Sequence, residues 1–489
     1  MIKTLFYCAF IGSLASGPVL ADSFQWTGGA STGNWLDLGN WSSPPPDFND
    51  TDDAIFVFDT AVQMNQSMGG TTRRFDRFEF SAGNFQLDNG TGALTFVKAV
   101  GGMVVSAGNH SISAGRFSIN IYTATSGGGL SVNNGSLSLS ASEGFFITGS
   151  KELRYLPISG NGTVTLSGEL LESTNGGTLK LRESFTGKLI LDTAGSTINL
   201  GKLLYDGGGT VRLDADDALG SLTIDFNNAA AKIESGLGAR SIANNVIARS
   251  SFTVVGEYDL EVKGSVSNEG AGGQAVTVAE AATTLRLSGG ISGSLGTWTK
   301  AGAGTVVLSG ENTGSWSQAI VVEEGILRVE NETGSATGSG MVTVQADATL
   351  AGNGRVGGAT SIHGTLELGE AVPLRFGEAL SFEEGSRITL SAGSAPALLE
   401  GDLSFGEGVT LVLDAASTWE VGETYRLFEL TDGTITGSLT LSGSYTAVWD
   451  IQDGPDGYVA FELQAIPEPA HWVLFLSGIA LLGWRHRRA

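Results

Sequence analysis

Cysteine is all but missing from this chain. One residue, Cys8, stands among 489. It lies in an apolar N-terminal stretch, so the remainder has no disulfide, no thiolate metal site and no cysteine nucleophile. Stability must then come from packing and hydrogen bonds. Proline is nearly as scarce: of 10 prolines, only Pro157 falls between Pro46 and Pro373. A long proline-free run suits hydrogen-bonded β-structure. Basic residues are few, with 27 Lys and Arg against 51 Asp and Glu, a formal net charge of −24. Setting aside Lys3, Glu468 and the three terminal arginines leaves 23 basic and 50 acidic residues, near −27. So acidic a body disfavours nucleic acid and bare anionic membranes as partners. It favours solubility and can collect divalent cations, although a solvated surface explains it as well.

Histidine is sparse, at 4 residues, with His110 and His363 in the body and His471 and His486 near the end. The first two sit in unrelated strand-turn contexts and read as surface residues. No HExxH, no G-x-S-x-G and no paired histidine spacing occurs, which leaves zinc hydrolysis and a serine triad unsupported. No long apolar pattern of period 3.6 appears either. Glycine is what the chain has in quantity, 72 residues, about 15%, or twice the usual share.

Both ends read as targeting segments. Residues 1–21 form a signal peptide, with Lys3 as the positive start, an apolar core over residues 5–14, and Val19, Leu20 and Ala21 before the cut. Cleavage is expected between Ala21 and Asp22, after export through the Sec machinery. Residues 466–489 read IPEPAHWVLFLSGIALLGWRHRRA. A turn, Pro467-Glu468-Pro469, precedes an apolar run, and Arg485, Arg487 and Arg488 end the chain. About 15 residues of helix span ~22 Å, short of the ~30 Å hydrocarbon core. Trp472 and Trp484 bracket the run as interfacial tryptophans do, and the arginines can snorkel into headgroups. This order of parts resembles the PEP-CTERM protein-sorting signal. The resemblance implies inner-membrane anchoring, then cutting near Pro467-Glu468-Pro469 by an exosortase-type membrane protease-transpeptidase. The body would pass to the cell surface or an extracellular polymer.

Between these ends the body divides by composition. Residues 22–60 hold Trp26, Trp35 and Trp41 with glycine and asparagine, then Pro44-Pro45-Pro46 and an acidic turn. This resembles the opening segment of exported Gly-rich β-repeat proteins related to autotransporter passengers. It suits a cap over the first rung of a solenoid, with a tryptophan platform for sugars as the alternative. Residues 61–443 alternate with period two: Leu137 and Leu139 against Ser136, Ser138 and Ser140; Leu179 and Leu181 against Lys180 and Arg182; Val211 and Leu213 against Arg212; Leu366 and Leu368 against Glu367. Such pairs begin at residues 179, 189, 198, 211 and 222. Short, evenly spaced strands predict an all-β chain, a right-handed parallel β-helix, with stacked antiparallel sandwiches as the other arrangement. Residues 298–329 resemble the autotransporter-associated β-strand repeat through Gly302, Gly304, Thr305–Leu308, Ser309, Gly310, Asn312, Thr313, Ala319–Val322 and Gly325. There the usual aromatic and glycine become Gly314, Ser315 and Trp316. The family's repeats form a β-helical stalk. Residues 444–465 read as closing strands and a spacer.

Chemistry-bearing motifs are thin. Gly352-Asn353-Gly354-Arg355-Val356-Gly357 satisfies G-x-G-x-x-G, but β-pattern rather than a helix follows, so it reads as a glycine turn. Asp52-Asp53 and Asp216-Asp217 are the candidate acid pairs for glycosidase-like or lyase-like chemistry. Neighbours on one strand point to opposite faces, so Asp216 and Asp217 are expected not to share a site. Asp47, Asp50, Asp52 and Asp53 could gather oxygens for calcium, against a solvated acidic turn. No cofactor is expected. The expectation is a non-enzymatic surface or matrix protein, structural or adhesive, associated with extracellular polysaccharide. A β-helical polysaccharide lyase or hydrolase and an autotransporter-like passenger are the alternatives. The last would need a C-terminal transmembrane barrel, where this chain has a helical run.

Overall fold

Glycine turns and alternating apolar and polar residues build one long stack of parallel strands in a computed structural model of the chain. The structure describes residues 22–31, 36–43, 51–58, 64–67, 73–96, 102–120, 129–148, 155–172, 178–197, 201–312 and 314–465. The signal peptide and the sorting tail lie outside them. Among the described residues the one helical element is a 3-10 turn, Leu38–Asn40.

Each coil of the solenoid lays strands on up to three faces. The coil that starts at Val246–Ala248 on the first face continues through Phe252–Val255 on the second and Leu260–Val262 on the third. It then returns to the first face at Val266–Asn268, directly above its own start. The second face is the most continuous: 17 strands from Met64–Ser67 to Ile435–Thr436, each parallel to the next. It runs open from end to end, with no pairing between its first strand and its last among the described residues. At ~4.8 Å per rung, such a ladder is roughly 75 Å long. Coil length varies, because Val342 pairs with Thr360, 18 residues on, whereas Leu403 pairs with Ile435, 32 residues on. Corners and loops absorb the difference while strand register is kept.

The pairs that begin near 179, 189, 211 and 222 fall on Thr178–Phe185, Lys188–Asp192, Thr210–Leu213 and Thr223–Phe226. Thr178–Phe185 and Thr223–Phe226 lie on the first face, and Lys188–Asp192 and Thr210–Leu213 on the second. The spacing near ten residues is therefore face to face, and a whole coil from Leu189 to Val211 takes 22. The pair at 198 lies outside the described residues. Continuous parallel pairing replaces the sandwich alternative.

Inward residues stack in columns. Leu87, Ile112, Leu139, Leu166, Leu191 and Leu213 follow one another on the second face, each at most 2% exposed. Burying each such side chain stabilises by about 1.5–3 kcal/mol. Glycines sit where coils approach closely. At Gly129, with φ +116°, an added Cβ would lie 2.2 Å from the Pro157 carbonyl oxygen of the next coil. The N-terminal coils are aromatic inside: Trp26 and Trp41 cross edge to face at 5.0 Å, and Trp41 meets Phe56 at 5.3 Å. At the other end the direction of pairing changes. Tyr458–Ala465 runs antiparallel to both Thr424–Leu430 and Tyr445–Gln452, and Trp449 and Tyr425 pack on its buried Phe461.

Candidate functional site

The second face carries the most regular outward surface. Its sequence repeats glycine, then polar residues at alternate positions. Parallel register places Asn109, Ser111 and Ser113 beside Ser136, Ser138 and Ser140. Thr163, Thr165 and Ser167 follow on the next coil. The nine form a block of three rows and three columns, with neighbours ~4.8 Å apart along the solenoid and ~6.7 Å apart along a strand. The inward partners of these rows, Leu137, Leu139, Val164 and Leu166, are buried to 1% exposure or less, so the backbone beneath is held firmly. The block carries no charge. Asp88 flanks it on one side and Lys188 and Asp192 on the other.

Hydrogen bonds treat the columns differently. Ser113 donates to Asp88 at 2.8 Å, Ser136 to the Asn109 amide oxygen at 2.8 Å, and Ser167 to Asp192 at 3.3 Å. The hydroxyls of Ser111, Ser138 and Thr165, in the centre column, make no hydrogen bond within the described protein. A shallow trough of about 450 Å3 runs over this region, floored by Ser111, Ser113, Ser138, Ser140 and Ser167 and beginning at Gln86 and Asp88.

The third face is charged and largely self-satisfied. A groove of about 620 Å3 there is lined by Glu261, Arg286, Val307, Arg328 and Glu330 among others. Arg286 reaches across two coils to Glu330 at 2.6 Å. Arg328 bonds Glu330 at 3.0 Å and reaches two coils on to Glu370 at 2.6 Å. Val307 lies between the two arginines in register and is only 3% exposed although it points outward. Hydrogen bonds from Ser288 and Ser241 hold the Glu261 carboxyl below its usual range. Burial pushes Glu330 up, but bonds and charge from Arg286 and Arg328 outweigh it and hold it low. Both stay ionised at neutral pH. A glycosidase general acid needs the opposite shift.

Asp216 and Asp217 lie in the turn after Thr210–Leu213, not on a strand, which corrects the reason given for their separation. They still diverge. Asp217 accepts from the Gly195 amide at 2.9 Å in the preceding coil, and Asp216 from the Ser241 amide at 3.2 Å in the following one. They act as staples between coils. Of the other pair, Asp52 and Asp53 belong to the strand Thr51–Phe58, whose described part does not extend to their side chains, and Asp47 and Asp50 lie outside the described residues. Among the described residues no group of three or more His, Cys, Asp or Glu could hold a metal ion.

His110 is not a surface residue. It is 2% exposed, stacked on Phe80 at 4.6 Å, and accepts the Phe85 amide at Nδ1 while Nε2 donates to the Ala107 carbonyl at 2.8 Å. Burial lowers its pKa, with the Ala107 bond working against that. The alternating pattern of its strand places it inward; its polarity alone had suggested the surface. His363 is exposed. Gly352 ends the strand Ala348–Gly352, and Arg355–Val356 follows after a turn, so the G-x-G-x-x-G stretch opens no helix. Trp26 and Trp41 are 1% and 5% exposed and present no open platform, while Trp35 lies outside the described residues.

Within residues 298–329 one inward position is held by a lysine. Lys300 stands in a column of valines between Val276 and Val322, fully buried. Its ammonium donates to the carbonyls of Gly302, Ala301 at 3.3 Å and Glu324 at 2.7 Å. Burial lowers its pKa to about 8, partly offset by the charge of Glu324. Nearby Trp298 and Trp316 cross edge to face at 5.3 Å, and the Trp316 indole N–H donates to Gln318. Trp316 is thus part of the core. Pro467, Glu468, Pro469, Trp472, Trp484, Arg485, Arg487, Arg488 and Ala21 all lie outside the described residues, and Asp22 begins the first strand, Asp22–Gln25. Among the described residues no helix is long and apolar enough to cross a membrane. No family model matches the chain, and no curated protein matches it.

Proposed function

We propose that this chain is an exported, right-handed β-solenoid that serves as a structural or adhesive stalk in a cell-surface or extracellular polysaccharide matrix. In this reading Sec export carries the body across the inner membrane. The segment bracketed by Trp472 and Trp484 anchors it there, with Arg485, Arg487 and Arg488 on the cytoplasmic side. An exosortase-type protease cuts near Pro467-Glu468-Pro469 and releases the body to the surface. The stalk carries no catalytic step and takes no cofactor.

One observation supports the reading above the others: a parallel stack 17 strands long on one face, with outward polar rows in register, precedes that tail in the chain. Such a stack is a stiff spacer, because each coil contacts only its neighbours and every added coil lengthens it by one rung. Its hydroxyl rows offer hydrogen bonds to glycans, which are themselves hydroxyl surfaces.

The test is intact-mass and C-terminal peptide analysis of the protein from envelope and medium. A released body ending near Pro467 is expected. A full-length form retained in every fraction of a strain with active exosortase would refute it.

A further inference from the structure

The hydroxyl block of the second face differs from the rest of the surface in charge, in availability and in shape. The chain carries a formal net charge of −24, yet the nine outward residues from Asn109 to Ser167 carry none. The next coils on the same face turn outward Lys188, Asp192, Arg212 and Asp214. An anionic polymer is repelled by the protein as a whole. A cationic one finds stronger partners in the acidic coils. An uncharged, hydroxyl-rich ligand is the one that loses nothing at this block.

The rim hydroxyls of Ser113 and Ser167 are committed to Asp88 and Asp192. Those of Ser111, Ser138 and Thr165 are not, and each offers one donor and two acceptor lone pairs. They stand in line along the solenoid, one per rung. Ser111 and Ser138 floor the trough of about 450 Å3, which reaches the next coil at Ser167, and the larger Ile190 follows Thr165 in their column. The trough spans four coils. A sugar ring in an extended chain advances by close to the height of one rung.

We infer that this trough binds a single strand of neutral polysaccharide laid along the solenoid axis, its ring hydroxyls bonded first to Ser111 and Ser138. The inference rests on the matrix-stalk reading and names the class of glycan and the place of contact. No aromatic ring lines the trough, so each sugar is held by hydrogen bonds alone and affinity accumulates over successive rungs. Affinity therefore rises with chain length and levels off at about four units, the number of coils that contribute.

The test uses the full-length protein purified in detergent, cello-oligosaccharides of increasing length, insoluble cellulose, and polygalacturonate as the acidic comparison. Ser138→Lys fills the trough without touching the core, and Thr343→Lys makes the same change at an outward position of a distant coil. Ser138→Ala, which removes only a hydroxyl, guards against misfolding of the first variant. Length-dependent binding is expected, weakened about ten-fold or more by Ser138→Lys, less by Ser138→Ala, and unchanged by Thr343→Lys. Equal binding by both lysine variants, tighter binding to polygalacturonate, shaping of ice crystals in place of glycan binding, or no binding to any neutral glycan would overturn it. Failure here with a released body still ending near Pro467 sinks only this inference. Binding by a protein that is never exported or cut sinks the stalk reading instead.

Discussion

The second and third faces of the solenoid each rest on their own inward column of buried apolar residues and differ outward. Between residues 109 and 167 the second face leaves its central hydroxyls without protein partners. Between residues 261 and 370 the third face joins Arg286, Arg328, Glu330 and Glu370 through bonds that cross coils, while Glu261 accepts from Ser241 and Ser288. The difference separates two uses of a polar surface. Groups that already bond each other hold the stack together; groups left in register but unbonded are available to something else. A groove volume does not make that distinction, since the charged groove is the larger of the two.

That contrast can be broken in several ways. The largest effect should come from the buried layer beneath a face. Leu139→Ala, beneath the hydroxyl block and 1% exposed, should cost about 2–5 kcal/mol in urea unfolding, as a cavity in a stacked column does. Next comes the charged face. Glu330→Ala strips Arg286 and Arg328 of a shared partner and should cost about 1–2 kcal/mol, held down by partial exposure. Added salt should shrink that difference. If Glu330→Ala is neutral, the third face is not a staple. The hydroxyl face should respond least: Ser138→Ala should change stability by no more than about 0.5 kcal/mol. A larger loss would show that its hydroxyl is committed after all.

A fourth prediction concerns pH and the buried Lys300. Its pKa is about 8 in the fold and 10.5 for a free lysine. Between those values the unfolded chain holds a proton that the folded chain has released. Stability contributed by this group therefore rises from about pH 8 to about pH 10.5 and is flat below. Urea midpoints at two pH values in and below that window should show the rise in the parent and its loss in Lys300→Met. An unchanged slope in Lys300→Met would place the titration elsewhere.

Much of the local structure can be read from the chain itself. Thr305–Leu308 and Ala319–Val322, apolar runs between turn residues, are strands. The inward and outward sets at residues 136–140, 179–182, 211–213 and 366–368 also follow from alternation, because side-chain direction along a strand is a local property. Register between coils is not local. Coils of 18 to 32 residues give no fixed offset, so nothing in the sequence says that Ser138 stands between Ser111 and Thr165. Ser136, Ser138 and Ser140 were visible as a row; the block was not. The inward places of His110 and Lys300 follow the alternation of their own strands, but their polarity argues against those places, since a polar residue at an inward position is accommodated only by contacts from other coils. Asp216 and Asp217 were misplaced because a short turn after Leu213 continues the look of a strand.

Retention of the exported body in the extracellular matrix tests the account most directly. The parent, Ser138→Lys and Glu330→Ala should be compared in the same host, as the fraction of body that sediments with surface polysaccharide. The account predicts that Ser138→Lys is shed into the medium while Glu330→Ala, though less stable, is retained like the parent. Equal retention of all three, or loss of Glu330→Ala alone, would contradict it.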